Sequence, residues 1–329
     1  MNLTKKKVLV TGAGGFIGSH LVEELVARGC QVRALVHYNS RNDWGNLERI
    51  APRMVSEVEV IAGDVRDSQC VVRATKGCVA VFHLAALIGI PYSYSAPESY
   101  VSTNVSGTLN VLRAALECGV GKVVHTSTSE TYGTAQYTPI DEGHPLVGQS
   151  PYAATKIAAD KLAESFHLSF GLPVATIRPF NTFGPRQSSR AVIPTIITQG
   201  LAGNVVRLGA VSPVRDFNYV KDTVSGFIRI AESDQSIGEV MNIGSGKGIT
   251  IGEVFSSVSR LLNKELDLRV DKQRIRPRKS EVNELICSYE KASRTTNYSP
   301  EFNFDTGLGK TIEYLKENFD EHKQYNYIV

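Results

Sequence analysis

Residues Lys6–Gly18 read KKVLVTGAGGFIG. The short apolar run KKVLVTG predicts a strand, and FIGSHLVEELVARG (Phe16–Gly29) predicts an amphipathic helix that stops at Gly29. Between them lies a glycine turn, TGAGGFIG (Thr11–Gly18). In such a turn Gly12 permits the tight bend, Gly15 lets backbone approach a pyrophosphate, and Gly18 allows the helix to pack closely on the sheet. The first helical turn, with Phe16 and Ile17, then presents free N–H groups and the positive end of the helix dipole to the phosphates. Strand, loop and helix in this order predict a dinucleotide site.

The pattern continues outward. Further strands are expected at QVRALVH (31–37), VEVIAGDV (58–65), VAVFHLAA (79–86), KVVHTSTS (122–129) and PVATIRPF (173–180). Helices are expected at NVSGTLNVLRAALECG (104–119) and PYAATKIAADKLAESFHLSFG (151–171). Strands that alternate with helices, and that are apolar without period-two alternation, predict a doubly wound parallel sheet of Rossmann type in an α/β fold. After Phe180 the rhythm loosens. NTFGPRQSSRAVIP (181–194) reads as loop and runs into a helix expected at AVIPTIITQGLAG (191–203); short strands are expected at VVRLG (205–209) and VRDFNYV (214–220), and further helices at 220–233, 249–264 and 305–323. Residues 1–180 are expected to form the dinucleotide-binding domain, with segments near 216–245 returning to it. Residues 181–329 are expected to form a smaller α+β lobe that binds the substrate.

Composition narrows the function classes. A chain of 329 residues that is 42% hydrophobic with a net charge of +3 is globular and nearly neutral. Its dense basic run, KQRIRPRK (272–279), has no aromatic interleaving or recognised motif, which argues against nucleic acid and leaves a solvated loop or a phosphorylated ligand. The five cysteines show no C-x-x-C spacing and read as reduced thiols of a cytoplasmic protein. Seven histidines lack metal-ligand spacing, so no metal is expected. No leader-like segment precedes the first strand and no apolar run reaches membrane-spanning length.

The strand ends supply further cofactor contacts. NAD-specific proteins usually place a carboxylate at the end of the second strand, where this chain has Val36 and His37. Loss of that carboxylate removes repulsion against a 2′-phosphate, with His37, Ser40 and Arg41 at hand, so NAD and NADP both stay open. Asp64 reads equally as an adenine contact or a strand-end cap. Val65, Leu84, Ala85, Ala86 and Thr126 complete the expected lining.

PYAATK places Tyr152 and Lys156 four residues apart on one helix face. An ammonium beside a phenol lowers the phenol's pKa and equips it as a base near neutral pH. Together with TGAGGFIG, HLAA (83–86) and NVSGT (104–108), this pair resembles the extended short-chain dehydrogenase/reductases that act on nucleotide sugars. The resemblance runs through RPFNTFGPR (178–186), RDFNYVKD (215–222) and RPRKSEV (276–282). It implies tightly bound, recycled NAD(P)+ and substrate contacts at Asn181, Arg186, Arg215, Arg276 and Glu281. Arginine forks there suit diphosphate oxygens. Arg274 and Arg278 fit surface ion pairs better. It also implies a homodimer or dimer of dimers through helices near 98–118 and 151–170, with UDP and GDP carriers equally compatible.

Within that family TSTSETYG (126–133) decides the chemistry. The resemblance places the hydroxyl that orients the sugar 4-OH on Thr128, and an acid at Glu130 is similar to the 4,6-dehydratases and the uronate decarboxylases. Ser129–Glu130 is the pair seen in GDP-mannose-type dehydratases and in decarboxylases. RPRKSEVNELI (276–286) resembles the dehydratase segment, and the likeness is greatest to enzymes that start legionaminic-acid-type synthesis from a nucleotide-linked N-acetylglucosamine. The implied reaction oxidises C4 with Tyr152 as base, removes the C5 proton with Glu130, expels water from C6 and returns the hydride there. Glu130 then serves as both base and acid, with Ser129 orienting water or the leaving hydroxyl. Decarboxylase, 4-epimerase and 5,6-ene chemistry remain adjacent alternatives, as does a dinucleotide-binding protein without catalysis.

Overall fold

The computed structural model describes residues 1–277 and 279–319. Arg278, and residues 320–323 of the last expected helix, lie outside them. The strands are β1 (Lys7–Thr11), β2 (Gln31–His37), β3 (Glu59–Gly63), β4 (Ala80–His83), β5 (Lys122–Thr126), β6 (Val174–Pro179), β7 (Asn181–Phe183), β8 (Val205–Leu208), β9 (Val214–Tyr219), β10 (Val240–Ile243), β11 (Gly248–Thr250), β12 (Asp267–Val270) and β13 (Glu284–Leu285). The helices are α1 (Phe16–Ala27), α2 (Pro52–Val55), α3 (Ser68–Thr75), α4 (Ile90–Ser95), α5 (Pro97–Tyr100), α6 (Gly107–Glu117), α7 (Pro151–Phe170), α8 (Val192–Ala202), α9 (Val220–Glu232), α10 (Ile251–Leu262), α11 (Glu290–Thr296) and α12 (Phe304–Glu317).

Seven strands form one parallel sheet in the order β3-β2-β1-β4-β5-β6-β10. Val8, Leu9 and Val10 of β1 are fully buried, as are Val81 and Phe82 of β4. Burial on both faces explains why these strands read as unbroken apolar runs. The strand order reverses between β1 and β4, so the cleft at their carboxyl ends is where this architecture binds ligands.

The second part of the chain does not form a separate core. Its small sheet orders β11-β9-β13, with β7 also paired to β9, and β8 pairs with β12. One hydrophobic cluster runs from Val8 and Leu21 through Phe183, Ile196, Tyr219 and Val254 to Ile312. Of residues 216–245, β10 joins the main sheet and α9 packs on β5 and β6, whereas β9 belongs to the small sheet. Residues 181–194, expected as loop, contain β7: its three residues pair in register with Phe217–Tyr219, which supplies the backbone bonds that sequence alone does not suggest. Among the described residues no helix is long and apolar enough to cross a membrane.

Candidate active site

The glycine turn is built by close approach. Gly12 has φ +68°, and a Cβ there would lie 2.7 Å from the Ala85 backbone nitrogen. A Cβ on Gly18 would lie 2.2 Å from the Gly12 carbonyl oxygen. Any larger residue at either position collides with backbone, which cannot rotate away. Gly15 is the N-cap of α1, and no side chain caps that helix end. Phe16, Ile17 and Gly18 therefore begin the helix with N–H groups directed at the cleft, the arrangement that suits a phosphate. The end of β4 is tied to this loop: Leu84 N–H donates to the Thr11 carbonyl at 3.2 Å and Ala85 N–H to the Thr11 hydroxyl at 3.1 Å. Trp44–Asn46 closes the other side. Asn46 N–H donates to the Gly14 carbonyl at 2.9 Å.

At the adenosine side His37 ends β2 and stands exposed. The Asp64 carboxylate takes hydrogen bonds from the Arg66 backbone at 2.9 Å and from its guanidinium at 2.6 and 3.0 Å. Arg66 thereby holds this carboxyl below its usual range. Val65 is buried beneath α6, where Gly107 gives it room: a Cβ there would lie 2.9 Å from the valine side chain.

Tyr152 and Lys156 are brought in by α7. Ser150 caps its first turn by accepting from Ala153 N–H at 3.1 Å, Pro151 occupies the first helical position, and Gly171 ends the helix in the left-handed region. Both side chains are buried. The Lys156 ammonium donates to the Thr126 carbonyl at the end of β5, and the Thr128 hydroxyl lies close enough to the Tyr152 phenol to act on its ionisation. Burial lowers the Lys156 pKa to about 8, against the opposing pull of Asp160. Burial raises that of Tyr152 far above a free phenol, and Thr128 offsets part of the rise.

The expected strand end beyond Thr126 is instead a tight turn. Thr128 N-caps a 3₁₀ turn, Ser129–Tyr132, accepting from Glu130 N–H at 3.3 Å, and Gly133 leaves it at φ +66°. That turn buries Ser129 and leaves Glu130 half-buried, near enough to both the Tyr152 phenol and the Arg215 guanidinium to act on their ionisation. Arg215 in turn pairs with Glu281 at 3.4 Å, and Arg276 lies 3.7 Å from the same carboxylate oxygen. Thr128, Glu130, Tyr152, Lys156, Arg215, Arg276 and Glu281 thus make one charged, part-buried constellation at the cleft.

Arg186 is elsewhere. Its backbone is at φ +69°, and its guanidinium folds onto α1, where it bonds Glu23 and His20. Burial and this cation hold His20 neutral, with its pKa lowered to about 3. The substrate contact that the resemblance implied for Arg186 is therefore not where its charge is placed: the Gly184–Pro185 turn points it back at the first helix.

Among the described residues the buried atoms Thr126 Oγ1, Asn181 Oδ1, Gln187 Oε1 and Arg276 Nη1 find no hydrogen-bond partner within the protein. Orphaned groups of this kind are costly unless a ligand answers them. Thr126 and Asn181 lie at the carboxyl ends where the expected cofactor and substrate meet. Together with the glycine cradle and the uncapped α1, they fit a bound dinucleotide.

The sequence reading also missed Asn104. It sits in a π-helical turn, Val101–Ser106, and clamps Leu87 from both sides, accepting from its N–H at 2.8 Å and donating to its carbonyl at 2.9 Å. The quoted motif NVSGT contained it, but nothing in that motif specifies the partner.

Comparison with known proteins gives the same assignment. Residues 9–311 match the family model described as GDP-mannose 4,6 dehydratase. The chain is 32% identical over 315 residues to a dTDP-glucose 4,6-dehydratase of Streptomyces antibioticus, covering 94% of this chain and 92% of that protein. It is 30% identical to a UDP-N-acetyl-alpha-D-glucosaminuronate decarboxylase of Bacillus cytotoxicus, with 95% and 98% covered. Its structure resembles that of the dTDP-glucose 4,6-dehydratase DesIV of Streptomyces venezuelae, solved with NAD and TYD bound. The TM-score is 0.85 at 31% identity, with 95% and 97% of the chains covered. Cradle, Tyr–Lys helix and acid-bearing turn agree with that match: the chain belongs to the GDP-mannose 4,6-dehydratase family of extended short-chain dehydrogenase/reductases, the nucleotide-sugar dehydratase branch.

Proposed function

We propose that the protein is a nucleotide-sugar 4,6-dehydratase that acts on an NDP-N-acetylhexosamine, UDP- or GDP-GlcNAc, and yields the 4-keto-6-deoxy sugar. The observation that carries this reading is Glu130, a carboxylate fixed on a short turn beside both Tyr152 and Arg215. Oxidation at C4 needs only Thr128, Tyr152 and Lys156. A third ionisable group at the same place equips the site for a second proton transfer.

NAD(P)+ held in the glycine cradle would supply a reversible hydride acceptor, for oxidation at C4 and for reduction at C6. The chain's residues handle the protons and the charge. Tyr152, supported by the Lys156 ammonium and oriented by Thr128, takes the proton of the sugar 4-hydroxyl. The C4 ketone acidifies the C5 hydrogen, which Glu130 removes. Glu130 then holds the proton needed by the departing C6 hydroxyl, and Ser129 orients that hydroxyl; as the hydride arrives at C6, C5 regains one proton, which balances the one Tyr152 took from the 4-hydroxyl. Arg215 and Arg276 hold the diphosphate, with Asn181 at the sugar. Residues 1–180 with β10 serve the cofactor, and most of 181–329 serves the nucleotide sugar. A homodimer through the α6 and α7 faces and a cytoplasmic location complete the reading.

Decarboxylation of a uronate is the second reading, because Ser129–Glu130 is a pair that the decarboxylases share. Incubation with UDP-GlcNAc, GDP-GlcNAc, dTDP-glucose and UDP-glucuronate, followed by mass spectrometry, separates the two. Loss of water from a hexosamine substrate supports the dehydratase; loss of carbon dioxide from the uronate overturns it.

A further inference from the structure

Tyr152, Lys156 and Asp160 follow one another at four-residue intervals along α7, so all three project from one face. The first two belong to the proposed chemistry. Asp160 is equally buried, and its carboxylate is crowded with donors from the sheet. Oδ1 takes a hydrogen bond from His125 Nε2 at 3.0 Å. Oδ2 takes bonds from the Ser127 hydroxyl at 2.6 Å and from Arg178 Nη2 at 3.0 Å. Arg178 continues the network: its Nη1 donates to the Tyr132 hydroxyl at 3.0 Å, which donates to Asn242 Oδ1 on β10 at 2.7 Å.

These contacts have a definite topology. Ser127 immediately precedes the segment Thr128–Thr131, and Tyr132 immediately follows it. Asp160 grips Ser127 directly and Tyr132 through Arg178. The turn that carries Thr128, Ser129 and Glu130 is therefore tied at both ends to the helix that carries Tyr152 and Lys156. A buried ion pair is a poor source of stability, since desolvation consumes most of the attraction and an apolar replacement is often neutral. Positioning explains its presence better.

We infer that Asp160 is a positioning residue, which sets the Thr128–Glu130 turn against Tyr152 and Lys156 and keeps an anion one helical turn behind the ammonium. The inference rests on the proposed roles of Tyr152 and Lys156. His83 of β4, His125 of β5, Arg178 of β6, Glu130 of the turn and Tyr152 of α7 complete the titratable and charged surroundings. His83 and His125 are held neutral by burial, with the Lys156 charge acting in the same direction. Asp160 is then the anion whose charge favours the ammonium form of Lys156.

The test compares Asp160→Asn and Ser127→Ala with the full-length wild type. Lys156 is titrated by NMR after ¹³Cε-lysine labelling, its signal assigned by its loss in Lys156→Arg. Single-turnover C4 oxidation is followed across pH by cofactor absorbance. In Asp160→Asn, Lys156 is expected to titrate at lower pH than in wild type. The alkaline limb of C4 oxidation moves with it, and the rate falls about tenfold or more while substrate KM changes less than about threefold. Ser127→Ala keeps the anion, so its titration and pH limbs stay put, but the looser turn slows C4 oxidation at least about threefold. An unmoved Lys156 titration in Asp160→Asn overturns the inference, even with a lower melting temperature and a uniformly reduced rate. If Asp160→Asn does not fold, Ser127→Ala decides: wild-type rates overturn the inference, slowed rates with unmoved limbs support it. A wild type that oxidises none of the nucleotide sugars would sink the underlying reading instead, and the NMR titration would still judge the coupling of Asp160 to Lys156.

Discussion

The Thr128 hydroxyl faces the Tyr152 phenol across the gap between α7 and the turn that follows β5, close enough to lower its pKa. Burial makes the phenolate costly, and the nearby charges of Glu130 and Asp160 add to that cost. In the resting protein the phenol is neutral. Thr128 offsets part of that cost, and the role proposed for the Lys156 ammonium is to offset more. Tyr152→Phe removes the acceptor while keeping the ring against Tyr100, whose centroid is 6.2 Å away. C4 oxidation is expected to fall by about 10²–10⁴-fold, the usual share of general acid–base catalysis. Dinucleotide affinity should change little. Single-turnover absorbance and a binding titration on the same variant check both statements.

Glu130 is expected to act after C4 oxidation. Glu130→Gln keeps the shape of the turn, since Thr128 caps it through the Glu130 backbone N–H and not through the side chain. The variant should still reduce its cofactor with substrate bound and then stall. Mass spectrometry should find no dehydrated product, and the fraction of reduced cofactor should exceed that of wild type. Dehydration at the wild-type rate would remove Glu130 from the mechanism.

Lys156 links activity and stability to pH with opposite signs. Its pKa falls from 10.5 to about 8 on folding, so between these values the unfolded chain binds more protons than the folded one. Stability from this group therefore rises with pH across that window. Activity moves the other way, because loss of the ammonium above about 8 removes support for the phenolate. The kcat profile should turn down near that value while the melting temperature does not. Lys122, buried against the Ser233 carbonyl and the Ser236 hydroxyl, has its pKa lowered to about 8 as well. Lys122→Met should flatten its share of the stability rise and leave the activity limb in place.

What the sequence disclosed follows from how each feature is encoded. The parallel sheet was legible because strands buried on both faces cannot alternate, and the β1 run VLV shows it. Tyr152 and Lys156 were legible because helical spacing alone brings them together. Asp160 continues that spacing, yet it reads as an ordinary polar residue until His125 of β5, Ser127 just beyond it and Arg178 of β6 arrive beside it. Arg186 was misplaced because its direction depends on a left-handed backbone at a Gly-Pro turn, which no periodicity reports. The clamp of Asn104 on Leu87 was hidden for a related reason: a π-helical turn aims the side chain, and the pattern of the helix does not mark it.

The glycine cradle separates a conformational cost from a steric one. Gly12 and Gly77 both lie at positive φ, +68° and +78°. A left-handed residue with a Cβ costs roughly 1–2 kcal/mol, so Gly77→Ala, where nothing lies within 4 Å of the added atom, should lose about that much stability and no binding. At Gly12 the added Cβ meets Ala85 N at 2.7 Å and Ala85 Cα at 2.9 Å, both of them backbone atoms. The loop or the end of β4 must shift, and with them the surface that receives the phosphates. Gly12→Ala should therefore lose at least about 2 kcal/mol, more than the dihedral cost alone, and weaken dinucleotide binding about tenfold or more. Thermal unfolding and cofactor titration of the two variants provide the comparison. Equal binding losses in both would mean that the left-handed dihedral, and not the contact with Ala85, governs the cradle.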